Sequence, residues 1–126
     1  MPRGSAVFSL CGEIMAIEGL KLLTKIEEVE HYSHIAMQQF PKSEKYALAL
    51  QIRETLSEIV HITIRCAKRY YKKTTLQDLD IEIEYLRTLI RKSYALKYIN
   101  CHKYEVWSFQ VNEIGKITGG WIKSVN

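Results

Sequence analysis

Apolar residues return at steps of three and four through most of the chain, the period of an α-helix with one buried face. Leu22, Ile26, Val29, Ser33, Ala36 and Phe40 share one such face and predict a first helix over 22–40, closed by Pro41. Ser43 is the expected N-cap of a second helix that continues to Tyr71. Its stripe is Ala49, Ile52, Leu56, Ile59, Val60, Thr63, Ala67 and Tyr70, and Lys72-Lys73-Thr74 closes it. Thr75 with Asp78 three residues on approximates a capping box for a third helix, whose main face is Leu79, Ile83, Leu86 and Ile90. Its acids (Asp78, Asp80, Glu82, Glu84) come first and its bases (Arg87, Arg91, Lys92, Lys97) last, which suits the helix dipole. A fourth helix over 103–125 aligns Tyr104, Trp107, Val111, Ile114, Thr118, Trp121, Ile122 and Val125. Four amphipathic helices with short links predict an all-α fold, an antiparallel up-and-down four-helix bundle.

Composition narrows the class further. The 126 residues are 47% apolar and 25% charged, an ordinary balance for one globular domain. Two prolines and six glycines are too few for the many turns of an all-β domain. No apolar run reaches the ~18 residues that span a bilayer, so no membrane association is expected. Cys11, Cys66 and Cys101 are odd in number and widely spaced, which fits a reducing, cytoplasmic compartment. Residues 1–14, with Met15 behind them, read as a leader or tag-like segment, and residues 15–126 as the bundle domain.

Candidate chemistry is sparse. Glu28-x-x-His31 and Glu58-x-x-His61 have the spacing of metal-binding pairs in di-iron bundles. Counted from their helix ends, however, they miss one another by roughly 13 Å along the bundle. Gly119-Gly120 lies within a helical pattern and reads as a packing notch. Arg53 stands eight residues before His61, outside the R-x4-6-H spacing of a helical ribonuclease. A Walker loop, a nucleophile elbow and a dinucleotide fingerprint are all missing, so no catalytic residue, cofactor or metal is expected.

The net charge of +4 matters less than its placement. Arg65, Lys68, Arg69 and Lys72 fall at i, i+3, i+4 and i+7, with Tyr71 and Lys73 beside them and no acid between. Such a stripe can neutralise phosphates, and a nearby tyrosine can stack a base. The plainer alternative is a solvated face that closes a long helix. Helices 3 and 4 each carry a second apolar face: Ile81, Tyr85, Leu89 and Leu96 on one, Val106, Phe109, Ile117 and Gly120 on the other. Subunit association is the simplest use of a second face, and a broad core-facing arc is the alternative.

Two motifs carry a family resemblance. Phe40-Pro41-Lys42-x-Glu44-Lys45-Tyr46-x-Leu48-x-x-Gln51-Ile52-Arg53 resembles the start of helix 2 in a family with two branches. One holds four-helix-bundle proteins encoded in ribosomal RNA intervening sequences. The other holds the accessory variability determinant (Avd) proteins of diversity-generating retroelements. Glu113-Ile114-Gly115-Lys116-Ile117-x-Gly119-Gly120-Trp121-Ile122-Lys123 is similar to the Avd branch in particular, with Thr118 where an apolar residue is usual. The resemblance spans about Lys21 to Val125. It implies a homopentameric ring of bundles, basic on the outside, that is not itself a polymerase. Its partners would be nucleic acid, RNA or DNA, and a reverse transcriptase. An intervening-sequence protein without a polymerase partner and, from another class, a metal-dependent bundle enzyme remain the alternatives.

Overall fold

A computed structural model describes the backbone from Ala6 to Val125 and the side chains from Gly19 onward. Four α-helices follow one another: α1 (Ala6–Met37), α2 (Leu48–Lys68), α3 (Lys73–Ala95) and α4 (Cys101–Val125). A short 3-10 turn, Lys42–Glu44, precedes α2. Each helix packs on its sequence neighbours, and α4 closes against α1, while among the described residues the diagonal pairs do not meet. Among the described residues there is no strand, and the architecture is a four-helix bundle. No described helix is long and apolar enough to cross a membrane.

The stripes predicted for the four helices become the core. Leu22, Ile26 and Val29 face Ile52, Leu56 and Ile59, then Leu79, Ile83, Leu86 and Ile90, then Trp107, Val111, Ile114 and Trp121. Burying such side chains contributes about 1.5–3 kcal/mol each before chain entropy is charged against it. One polar contact crosses this apolar interior. The Trp107 indole N–H on α4 donates to Ser33 Oγ on α1 at 2.7 Å, and that hydroxyl donates in turn to the Val29 carbonyl at 2.6 Å. Both residues are fully buried.

The helix ends differ from expectation in several places. Helix α1 is helical from Ala6, well ahead of Leu22, because the stretch holds no proline and a helix tolerates Gly12 and Gly19 at about 1 kcal/mol each. The leader reading of residues 1–14, and Cys11 within it, concerns side chains outside the described residues. At its other end α1 stops at Met37, and Phe40 sits beyond it, tilted against Tyr98 with ring centroids 5.4 Å apart. Ser43 is not an N-cap: it lies exposed in the 3-10 turn, and Glu44 caps α2 instead. Its Oε1 accepts from Leu48 N–H at 3.1 Å, and its Oε2 accepts from the Tyr98 hydroxyl at 2.6 Å.

Helix α2 ends at Lys68, three residues before the predicted Tyr71, with Arg69 extended at φ −90°, ψ 147°. Helix α3 begins at Lys73 and has no side-chain cap, so the Thr75/Asp78 box is not formed. Thr75 is buried instead. Its C-terminus closes through Lys97 at φ 64°, with Lys97 N–H bound to the Tyr94 carbonyl at 2.9 Å and Tyr98 N–H to the Ser93 carbonyl at 3.0 Å. This is the paired closure in which glycine usually occupies the left-handed position. Asn100 Oδ1 then accepts from Lys103 N–H at 2.8 Å and caps α4, which starts at Cys101. The closure turns Tyr98 back across the end of the bundle to Glu44.

Two tests follow from these contacts. Ser33→Ala removes almost no volume but leaves the buried Trp107 N–H without an acceptor. It is expected to lower unfolding free energy by about 2 kcal/mol, read as a lower urea midpoint at unchanged slope. Glu44 is held below the usual carboxylate range first by the Tyr98 hydroxyl, then by the Leu48 N–H, with a smaller attraction from Lys92. Its folded value lies below its unfolded one, so the stabilisation is complete above the unfolded value and fades as pH falls through the folded one. Glu44→Gln is therefore expected to be less stable than wild type at pH 7. Urea midpoints should converge as acid protonates the wild-type carboxyl.

Candidate nucleic-acid interface

The four cations expected on one helical stripe, and Lys73 beside them, lie instead around the corner between α2 and α3. Arg65 and Lys68 belong to the last turn of α2, Arg69 and Lys72 to the connection, and Lys73 opens α3. The i, i+3, i+4, i+7 register therefore breaks after Lys68. Lys72 takes a structural role: its Nζ donates to the Cys66 carbonyl at 2.7 Å and also to the Arg69 carbonyl. It thus satisfies the free carbonyls at the negative end of α2. Lys68, Arg69 and Lys73 remain exposed, Arg65 is half-buried, and none of them enters an ion pair among the described residues.

Beneath this corner Cys66 is fully buried. Burial pushes its thiol up to about 11 against the pull of Lys72 and Arg65. It is a core residue. Tyr70 is not: expected in the α2 stripe, it is 87% exposed, beside Tyr71 at 84%. The helix ends before Tyr70 can turn inward, and the two rings meet edge to face with centroids 4.8 Å apart.

Sequence periodicity missed a second cationic group at the opposite end. The α1–α2 connection brings Lys42 and Lys45, the first half of α2 brings Arg53, and the end of α3 brings Lys92 and Lys97, all exposed. Arg53 Nη2 donates to the Lys45 carbonyl at 3.1 Å, and Glu44 is the acid that feels Lys92. These residues come from segments some 50 positions apart, so no local spacing could have joined them. Between the two ends the bundle carries an acidic waist. Glu54, Glu58 and Glu82 line the groove between α2 and α3 with Gln51, Thr55 and Tyr85. Burial, and then Glu58 and Asp78, raise the Glu82 carboxyl above its ordinary value. The α2–α3 groove is therefore negative between two cationic ends.

The E-x-x-H pairs fall in different places. Glu28 and His31 line the α1–α4 groove, whereas Glu58 lines the α2–α3 groove and His61 is exposed. Among the described residues no three His, Cys, Asp or Glu side chains gather as a metal site.

The second apolar faces are partly real. Ile81, Tyr85, Leu96 and Phe109 are exposed, Ile81 and Phe109 by 63% and 64%. Leu89 is a correction: it is buried in the bundle core, since its position on α3 turns inward beside Leu86 and Ile90. Ile117 is half-buried against that core, Val106 is half-buried, and Gly120 is exposed with open space where a Cβ would stand. Gly119 meets nothing either, so the pair is not a notch within the chain. The close approaches occur at Gly19, where a Cβ would stand 3.1 Å from Ala67 Cβ, and at Gly115, which the Arg87 guanidinium covers. Arg87 is held there by Asn112 Oδ1 and Glu84 Oε1, each at 2.9 Å.

A family model described as bAvd-like matches residues 20–125. The chain belongs to the bAvd-like family. The match covers all four helices from the described side chains of α1 onward, and includes both motifs that carried the resemblance. A comparison with curated proteins finds no match.

Proposed function

We propose that this bAvd-like chain is the accessory subunit of a diversity-generating retroelement, a cytoplasmic, non-enzymatic homo-oligomer. It would bind its reverse transcriptase and the template RNA or its cDNA. The observation that carries this reading is the cationic corner of Arg65, Lys68, Arg69 and Lys73 on a chain of this family. These groups lie on the surface with no described acid neutralising them, which suits contacts to phosphates rather than to base edges. The cations at the far end extend the same surface, and the acidic waist confines the path of a polyanion to the two ends.

The uncovered apolar side chains support assembly. A closed ring needs two different patches on each copy, one meeting the other on its neighbour. Tyr85 borders the α2–α3 groove, while Phe109 borders the grooves on both sides of α4. The chain thus offers two such patches, one on α3 with Ile81 and one on α4 with Val106. Five copies would multiply the cationic corner, and linked weak contacts gain avidity without new chemistry.

Lys68, Arg69 and Lys73 replaced together by glutamine should weaken binding to all nucleic acid sequences alike. The plot of log affinity against log salt should flatten by roughly 2–3 for each copy engaged, one contact per charge removed. Lys72 is left in place because it caps α2. Unchanged binding by the folded triple variant overturns the assignment of this corner. Phe109→Glu should release monomers, because the charge would be desolvated at an apolar contact. Light scattering decides it, and a monomeric wild type at micromolar concentration overturns the ring.

A further inference from the structure

Tyr70 and Tyr71 are the most exposed large apolar side chains among the described residues. Neither contributes to the bundle core. The connection that carries them, Arg69-Tyr70-Tyr71-Lys72, contains no glycine, proline, asparagine or serine, so turn chemistry does not account for its composition. Its backbone is fixed from below, because Lys72 ties the Cys66 and Arg69 carbonyls together. The rings therefore project from an anchored corner, not from a loose one. Set edge to face, with an interplanar angle of 87°, they cannot stack on each other, and broad π-faces stay open to solvent. Lys68 and Arg69 precede the pair and Lys73 follows it, all exposed. No acidic residue occurs between Glu58 and Asp78.

Exposed aromatic faces between cations are the elements from which single-strand binding surfaces are made: rings for bases, charges for the flanking phosphates. Duplex bases are already stacked on their neighbours and offer a protruding tyrosine no free face. We propose that the α2–α3 corner is a site for unpaired nucleotides. Tyr70 and Tyr71 stack bases, while Lys68, Arg69 and Lys73 hold the phosphates on either side. The inference rests on the nucleic-acid reading above and narrows it to single strands at this corner.

The test uses the full-length protein and fluorescence anisotropy with a labelled, unstructured RNA. The same strand annealed to its complement and an abasic strand of equal charge serve as comparisons. Tyr70→Ala/Tyr71→Ala should lose at least tenfold in affinity for the single strand, with duplex affinity held within about twofold. Its salt slope should not change, because no charge is removed. Tyr70→Phe/Tyr71→Phe should retain single-strand binding, since the π-face survives. Wild type should bind the abasic strand about as weakly as the alanine variant binds the intact one. Both rings lie outside the core, so circular dichroism should show an unchanged helical fold in either variant. An alanine variant that binds the single strand like wild type overturns this inference alone. So does equal loss for strand and duplex. A wild type that binds no nucleic acid overturns the broader reading as well, and capture of an acidic peptide instead would give the corner to a protein partner.

Discussion

The register of the bundle depends on the bond from the Trp107 indole to Ser33. The surrounding core is hydrocarbon, and hydrocarbon contacts are strong in sum but indifferent to direction. Leucine and isoleucine faces alone would tolerate a helix sliding by a turn against its neighbour. A slipped α4 would cost the Trp107 indole N–H its buried acceptor, a partner that the Trp121 indole N–H does not have. The bond joins α1 to α4, the pair most distant in sequence, and so closes the square. With that closure set, the two ends of the bundle are set as well. At one end Tyr98 reaches Glu44; at the other the α2–α3 connection stands clear of the core.

The second constraint is the ending of α2 after Lys68. A helix continuing to Tyr71 would have turned Tyr70 inward and left the cations along one straight face. The early ending places Lys72 within reach of the last carbonyls of α2, a favourable position for a cation at the negative end of the helix dipole. That role removes Lys72 from the set available to a ligand and immobilises the corner around it. The same event turns both tyrosines outward between the remaining cations. Structure and surface chemistry share one cause here: the backbone that must be capped is also the backbone that presents the side chains.

Charge along the bundle is divided by the same geometry. Helix ends and connections gather cations from distant segments, while the middle turns of α2 and α3 bring Glu54, Glu58 and Glu82 into one groove. Each end of the bundle thus gathers cations, and the α2–α3 groove between them gathers carboxylates.

The amino-acid sequence by itself determined the number of helices, most residues of each core face and the family. All three depend on periodicity and local motifs, which need no knowledge of neighbours. Leu22 to Ala36, Ile52 to Ile59, Leu79 to Ile90 and Trp107 to Trp121 were legible because a buried stripe must recur every three or four residues. What only the tertiary structure decided were the ends and the surfaces. Ser43 looked like a cap, but Glu44 had a tyrosine 54 residues away to hold it in that role. Leu89 looked like part of an outer face, but its place beside Leu86 and Ile90 put it in the core. Tyr70 continued the stripe in sequence, but the corner left nothing for it to pack against. Lys42, Lys45, Arg53, Lys92 and Lys97 showed no local spacing and met only when the bundle closed. Periodicity reports which side of a helix is buried. Where the helix stops, and what stands beside its end, depends on contacts with residues far along the chain.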